Sequence, residues 1–236
     1  MINPIIGIIG GGQLGSMLAE AAKKINIKTI IFSDDMDSPA KNFSDEFLCG
    51  SYEDENKIKE FINRVDIVTF EFENIPYKTL KKINDSKRVL PKPEINKIVQ
   101  NRLTEKDFLN KININTTKYV SVKNDKDLKS NTELLPGMLK TCTMGYDGKG
   151  QYKINSSQEL ENLKLDFKNE FILEKLINLK KEISVIITRY GRGRYEIYEP
   201  IENVHEDQIL KYSKIPSDIN TTISKKSEDW AIKISE

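Results

Sequence analysis

Leu139-Lys140-Thr141-Cys142-Thr143-Met144-Gly145-Tyr146-Asp147-Gly148-Lys149-Gly150-Gln151 is the stretch from which the rest of the chain can be read. A short apolar approach, Met138-Leu139, delivers Lys140. Three glycines follow, with Tyr146, Asp147 and Lys149 between them, and strand-like Tyr152-Lys153-Ile154 comes next. Glycine tolerates the positive φ of a tight turn, so such a loop can fold its backbone N–H groups over an anion. Lys140 can supply a point charge to the same phosphates. The alternative is a lysine-rich hairpin tip with no ligand. A Walker loop does not fit, because there the lysine follows the glycines and a helix comes after it. With the lysine first and strands on both flanks, the pattern predicts a lid over a nucleotide, as in an ATP-using ligase.

Upstream, Pro4–Ile9 reads as a buried parallel strand, and Gly10-Gly11-Gly12-Gln13-Leu14-Gly15 follows directly. Leu14, Met17, Leu18, Ala21, Ala22 and Ile25 fall at helical spacing, and Thr29–Phe32 is a second strand. Gly10-x-Gly12-x-x-Gly15 with Asp34 about twenty residues on has the form of a dinucleotide fingerprint. Two other readings stand beside it. The glycines can serve only close strand–helix packing, or the helix N-terminus behind Gly12 can hold the phosphate of another ligand. The βα alternation continues through a helix at Asp54–Arg64, a strand at Asp66–Phe70, a helix at Pro76–Ile83 and a short strand at Arg88–Leu90. After Phe70, Glu71 and Glu73 are two residues apart, which on an extended chain puts them on one face. Pro91-Lys92-Pro93 ends the alternation and sets the expected domain boundary, 1–92 and 93–236.

Two short helices, Glu94–Gln100 and Leu103–Lys111, and a strand at Lys118–Val122 lead to the glycine loop. Beyond it, Phe171–Ile177 and Lys181–Ile187 read as strands, Gly191–Arg194 as a hairpin tip and Thr222–Glu236 as an amphipathic helix. Antiparallel strands around a nucleotide would bring Glu174 and Glu182 near its base and ribose. Cross-strand ion pairing is the competing use of the same glutamates.

Composition narrows the class. Lys+Arg 37 against Asp+Glu 36 leaves a net charge of +1, with no global pull towards nucleic acid or membrane. No apolar run approaches a bilayer span. Cys49 and Cys142 lie in no metal-binding spacing, and His205 is the single histidine. Free thiols in a reducing cytoplasm are the expectation.

Four motifs occur in order: Gly10–Gly15, Phe70-Glu71-Phe72-Glu73-Asn74-Ile75-Pro76, Asn101-Arg102-Leu103-Thr104-Glu105-Lys106 and Gly145–Gln151. Together they resemble the N5-carboxyaminoimidazole ribonucleotide synthase family, ATP-grasp ligases of purine biosynthesis. The resemblance implies an α/β fold: a Rossmann-like parallel-sheet domain followed by an incomplete ATP-grasp α+β domain. It implies that bicarbonate attacks the γ-phosphate of MgATP to give carboxyphosphate, whose carboxyl group or released CO2 reaches the amine of aminoimidazole ribonucleotide. Carried over, Arg102 and Lys140 would bind ATP phosphates, and Gly145, Tyr146, Asp147, Gly148, Lys149, Gly150 and Gln151 would form the lid. Glu174, Lys175, Leu176 and Ile177 would form the hinge around adenine. Glu182 would take the ribose hydroxyls, and His205 would sit near the nucleotide. Gln13, Leu14 and Glu73 would face the imidazole ribonucleotide, with Tyr146 and Asp147 as the catalytic pair. A homodimer is the assembly the family suggests.

Family members continue past this point through a metal-binding glutamate, an Asn-Glu pair and a small C-terminal domain. The expectation is therefore a fragment or truncated product, inactive alone, whose Mg2+ ligands lie outside it. An NAD-dependent oxidoreductase built on the first glycine turn is the alternative enzyme, and a non-catalytic nucleotide-binding fragment the alternative of another class.

Overall fold

The computed structural model describes residues 4–145, 150–206 and 209–236. The chain forms two compact units, Met1–Gln100 and Asn101–Glu236. The first contains β1 (Ile6–Ile9), α1 (Gln13–Lys24), β2 (Thr29–Ser33), β3 (Glu46–Cys49), α2 (Glu55–Arg64), β4 (Ile67–Phe70), α3 (Tyr77–Asn84) and α4 (Pro93–Val99). Its four strands are parallel, in the order β3-β2-β1-β4. Helical crossovers cover both faces, which is why the strands are apolar throughout rather than alternating. Ile8 and Ile31 pack with Ala19 and Ala40. Ile9, Ile30 and Phe32 pack with Ile58 and Phe61 of α2 and with Leu80 and Ile83 of α3. Gly7 admits the Phe61 ring, since a Cβ there would come within 2.5 Å of Phe61 Cζ.

Helix α1 turns a different face inward from the one its apolar spacing predicts. Gly15, Ser16, Ala19 and Ala22 are buried, whereas Leu14, Met17, Leu18 and Ile25 are exposed. Close approach to the sheet decides this: a Cβ on Gly15 would lie 2.8 Å from the Gly10 carbonyl oxygen, so the small side chains must face it. The expected strand at Arg88–Leu90 is reduced to one bridge, Val68 to Val89, because Pro91 has no N–H to continue a ladder. The first unit runs past Pro91-Lys92-Pro93, since α4 packs on α3 and buried Asn96 Nδ2 donates to the Ile75 carbonyl at 2.9 Å.

The second unit opens with α5 (Arg102–Lys111), β5 (Tyr119–Val122), α6 (Asp125–Lys129), β6 (Gly137–Thr141), β7 (Gln151–Ile154), α7 (Ser157–Asn162) and β8 (Phe171–Lys175). These strands form an antiparallel sheet in the order β5-β8-β6-β7. One face carries Val122, Leu139, Ile154, Phe171 and Leu173 against Leu128 of α6 and Leu160 of α7. The chain continues as β9 (Glu182–Ser184), β10 (Ile187–Gly191), β11 (Arg194–Ile197), β12 (Ile201–Glu206), β13 (Ile209–Lys214) and α8 (Thr221–Ser235). The single strand expected over Lys181–Ile187 is two, in separate sheets: β9 pairs with β12, and β10 forms a hairpin with β11.

Phe61 is fully buried and its ring centroid lies 5.4 Å from that of Phe32. Truncating it to alanine should cost about 3–5 kcal/mol. Urea denaturation followed by circular dichroism checks this, and a loss below about 1 kcal/mol would contradict the packing.

Candidate functional site

A cleft of about 580 Å³ in the second unit is lined by Lys140, Gln151, Glu174, Lys175, Glu182 and His205, with Met138, Leu176 and Ile177 among its apolar members. Strand periodicity builds it. Successive side chains on a strand point to opposite faces. Leu139 and Leu173 are register partners facing the core, so Met138 and Lys140 on β6 and Glu174 on β8 face the other way. Gln151 joins them as the partner of Lys140 on β7. Met138 is directly opposite Glu174, which makes Lys140 and Glu174 diagonal neighbours.

The second sheet repeats the device. Glu182 on β9 is opposite Asn203 on β12, and His205 lies two residues further along the same strand. Glu182 Oε2 sits 3.2 Å from His205 Nδ1. Lys140 on β6 and Glu182 on β9 thus line one cleft, although they come from different sheets.

The strongest electrostatic feature is Glu174, only 6% exposed. Its Oε2 accepts from Lys140 Nζ at 2.9 Å, and its Oε1 is paired with Lys106 Nζ at 3.1 Å. Burial pushes this carboxyl up, but the hydrogen bond and charge of Lys140, with the charge of Lys106, outweigh it and hold it below its ordinary 4.5. Lys175, next along β8, also borders the cleft, and its ammonium donates to the carbonyls of Glu133 and Leu135 at 3.2 and 2.7 Å. Within the expected hinge, then, Glu174 and Lys175 are fixed by their side chains, and Leu176 and Ile177 follow the end of the strand.

Arg102 is turned to the base of the glycine loop. Its Nη1 donates to the Thr141 carbonyl and its Nη2 to the Gly145 carbonyl, both at 2.8 Å. On the far side of the loop, Gly150 has φ +68°, and its carbonyl accepts from the Thr141 N–H at 2.9 Å. Tyr146, Asp147, Gly148 and Lys149 lie outside the described residues. Beside the loop, burial and the charge of Glu170 push the Cys142 thiol up to about 12, so it is no nucleophile at neutral pH.

In the first unit, Gln13 and Leu14 are exposed at the start of α1, and Glu73 is exposed with Asn74 Nδ2 donating to its carboxylate at 3.3 Å. Glu71 and Glu73 do not share a face. Strand β4 ends at Phe70, and the chain turns so that Glu71 Oε1 accepts from the Gly12 N–H at 2.9 Å. A carboxylate thus occupies the glycine turn where the dinucleotide reading needs a pyrophosphate, and two anions cannot share that position cheaply. Sequence reasoning placed Glu71 with Glu73 and quoted Lys106 only within a motif, and it missed their partners, the Gly12 N–H and Glu174. The spacing Arg102–Lys106, one helical turn on α5, was the available signal for Lys106.

Among the described residues, no group of three or more His, Cys, Asp or Glu side chains is placed to hold a metal ion. No helix among them is long and apolar enough to cross a membrane. Because the folded pKa of Glu174 is depressed, its contribution to stability is present above about pH 4.5 and lost as pH falls through the folded value. Glu174→Gln leaves Lys140 and Lys106 without their shared carboxylate and should lower stability at pH 7 by roughly 3 kcal/mol, with a gap to wild type that narrows as pH falls below 4.5. Thermal melts of both proteins from pH 7 to pH 3 check it; a gap constant with pH would contradict the ion pairing.

Family profiles match both units: the ribonucleotide synthetase preATP-grasp domain over residues 4–100, and the ATP-grasp domain over residues 107–236. The N5-carboxyaminoimidazole ribonucleotide synthase of Bacillus subtilis (strain 168) is 35% identical over 235 residues, 98% of this chain and 62% of that protein. A crystal structure of an N5-carboxyaminoimidazole ribonucleotide synthetase in complex with ADP is similar with a TM-score of 0.93 and 36% identity, over 100% of this chain and 64% of that one. The Aspergillus clavatus enzyme, crystallised with ADP and 5-aminoimidazole ribonucleotide, gives a TM-score of 0.86 at 27% identity, over 99% and 62%. The chain spans about three fifths of the length of the curated relatives it matches. On the profile that covers most of its second unit, the chain belongs to the ATP-grasp family.

Proposed function

We propose that the chain is the nucleotide-binding part of an ATP-dependent carbon–nitrogen ligase that carboxylates 5-aminoimidazole ribonucleotide with bicarbonate. The product is N5-carboxyaminoimidazole ribonucleotide, an intermediate of purine biosynthesis. One observation carries the reading: a lysine, a strand end and a Glu–His pair, brought from two sheets, converge on one cleft. Relatives named for this reaction, and their complexes with ADP and with 5-aminoimidazole ribonucleotide, support the choice of substrates.

In this reading Lys140 meets the phosphates from the floor of the cleft. Phosphoryl transfer asks the protein mainly for positioning and charge neutralisation, and a fixed ammonium supplies both. Leu176 and Ile177, past the last ladder residue of β8, offer apolar side chains and backbone edge to the adenine. Glu182 accepts from the ribose hydroxyls, and His205 orients it. Arg102 acts on the phosphates through the loop it clasps, and any direct contact needs its remaining donors. Gly145–Gln151 closes over the nucleotide, keeping water from an acyl phosphate. Tyr146 and Asp147 act at the reacting groups, and Gln13, Leu14 and Glu73 contact the imidazole ribonucleotide. Magnesium accompanies the nucleotide, and among the described residues no cluster of three or more His, Cys, Asp or Glu side chains is placed to hold it. The compartment proposed is the cytoplasm, in keeping with free Cys49 and Cys142.

Titration with a fluorescent ATP analogue should give a saturable signal displaced by ADP, and titration with NADH none. Glu182→Ala should weaken ATP binding by roughly tenfold, the size of one lost charge-assisted hydrogen bond. An NADH signal without an ATP signal would overturn the proposal.

A further inference from the structure

We infer that Lys106 is a positioning residue of the cleft, which keeps Lys140 electrostatically available to an anionic ligand by sharing the charge of Glu174. The inference rests on the nucleotide reading above and assigns a role to a residue outside the cleft lining.

Lys106 is an unusual lysine. Its side chain is 17% exposed, comparable with Lys140 at 24%, and it contacts the opposite oxygen of the same buried carboxylate. The Tyr119 ring holds its ammonium from another side, with Nζ 5.7 Å from the ring centroid. Lysine side chains are almost never buried unless paired. Here the pairing has a consequence at the cleft. Lys140 and Glu174 alone form a neutral pair, and a carboxylate at 2.9 Å opposes any phosphate that approaches the ammonium. With Lys106 the three groups sum to +1, and the second oxygen of Glu174 is drawn towards α5. Lys140 is then both fixed in place and left with an uncompensated field. Glu105 and Arg102, on the same helix, add one charge of each sign and leave the sum unaltered when both are ionised.

The test compares wild type, Lys106→Gln and Lys106→Arg for binding of ATP and of adenosine, by displacement of the fluorescent analogue. Glutamine keeps a donor to Glu174 without the charge; arginine keeps the charge. Lys106→Gln should weaken ATP about tenfold and adenosine by less than about twofold, and Lys106→Arg should stay within about threefold of wild type for both. In a Lys140→Met background, Lys106→Gln should add less than about twofold, because its effect passes through Lys140. Equal weakening of ATP and adenosine, or full additivity with Lys140→Met, would overturn the inference in favour of a purely structural lysine. ATP binding by Lys106→Gln equal to wild type would overturn it as well. Wild-type chain that binds no ATP defeats the nucleotide reading and this inference together. Should Lys106→Gln melt below the assay temperature while Lys106→Arg does not, Lys106→Met and the salt dependence of ATP binding by Lys106→Arg replace it: weakening by salt supports the charge role, and salt-independent binding overturns it.

Discussion

A carboxylate buried at the end of β8 must find positive partners or lose its charge, and that constraint shapes the second unit. Glu174 is nearly inaccessible, yet it sits beside two ammonium groups, one from β6 and one from α5. Removing an ion from water costs several kcal/mol, which only close opposite charges and hydrogen bonds can offset (about that much again). The arrangement therefore ties three elements together: β6 and β8 through the sheet, and α5 through Lys106. It also fixes Lys140 where the strand enters the glycine loop. Stability and site geometry are in this way consequences of one charge.

The two glycine turns look alike on paper and are held by opposite means. At the first, Glu71 comes back from the end of β4 and accepts from the Gly12 N–H, so an internal anion already satisfies a donor that a pyrophosphate would use. At the second, the groups gathered around the loop base are donors. Arg102 binds the carbonyls of Thr141 and Gly145, and the Thr141 N–H binds that of Gly150. A turn closed by a carboxylate and a loop clasped by a guanidinium present different fields to a ligand. The contrast favours an anion at the second and explains why a fingerprint of glycine spacing alone misleads.

Both sheets that line the cleft use one rule to bring side chains together. Residues two apart on a strand share a face, and a diagonal neighbour on the adjacent strand completes the pair. Lys140 with Glu174, and Glu182 with His205, are two instances. The break between β9 and β10 matters here, since a continuous strand over Lys181–Ile187 would bind Glu182 and the hairpin into a single sheet. Splitting it leaves β9 to pair with β12 alone, which is what brings His205 beside Glu182.

Much of this was legible in the residues themselves. The buried strand before Gly10, the helix α2 behind Asp54, the lysine-then-glycine order and the hairpin at Gly191–Arg194 are local patterns, and local sterics or period decide them. So does the pairing of Lys140 and Glu174 with the cleft face, once Leu139 and Leu173 are known to face the core. Other features required the assembled chain. Helix α1 buries Gly15, Ala19 and Ala22 instead of its larger apolar residues, because the distance to the sheet, not hydrophobicity, selects the inward face. Glu71 and Lys106 take their partners 59 and 68 positions away, Gly12 and Glu174, and no spacing within one element encodes such a contact. What sequence alone determined was therefore most of the helices, the strands that flank the two glycine turns, and the chemistry they carry. Which charges meet was decided only by tertiary structure, since an ion pair depends on distance in space and burial, and neither is a property of neighbouring residues.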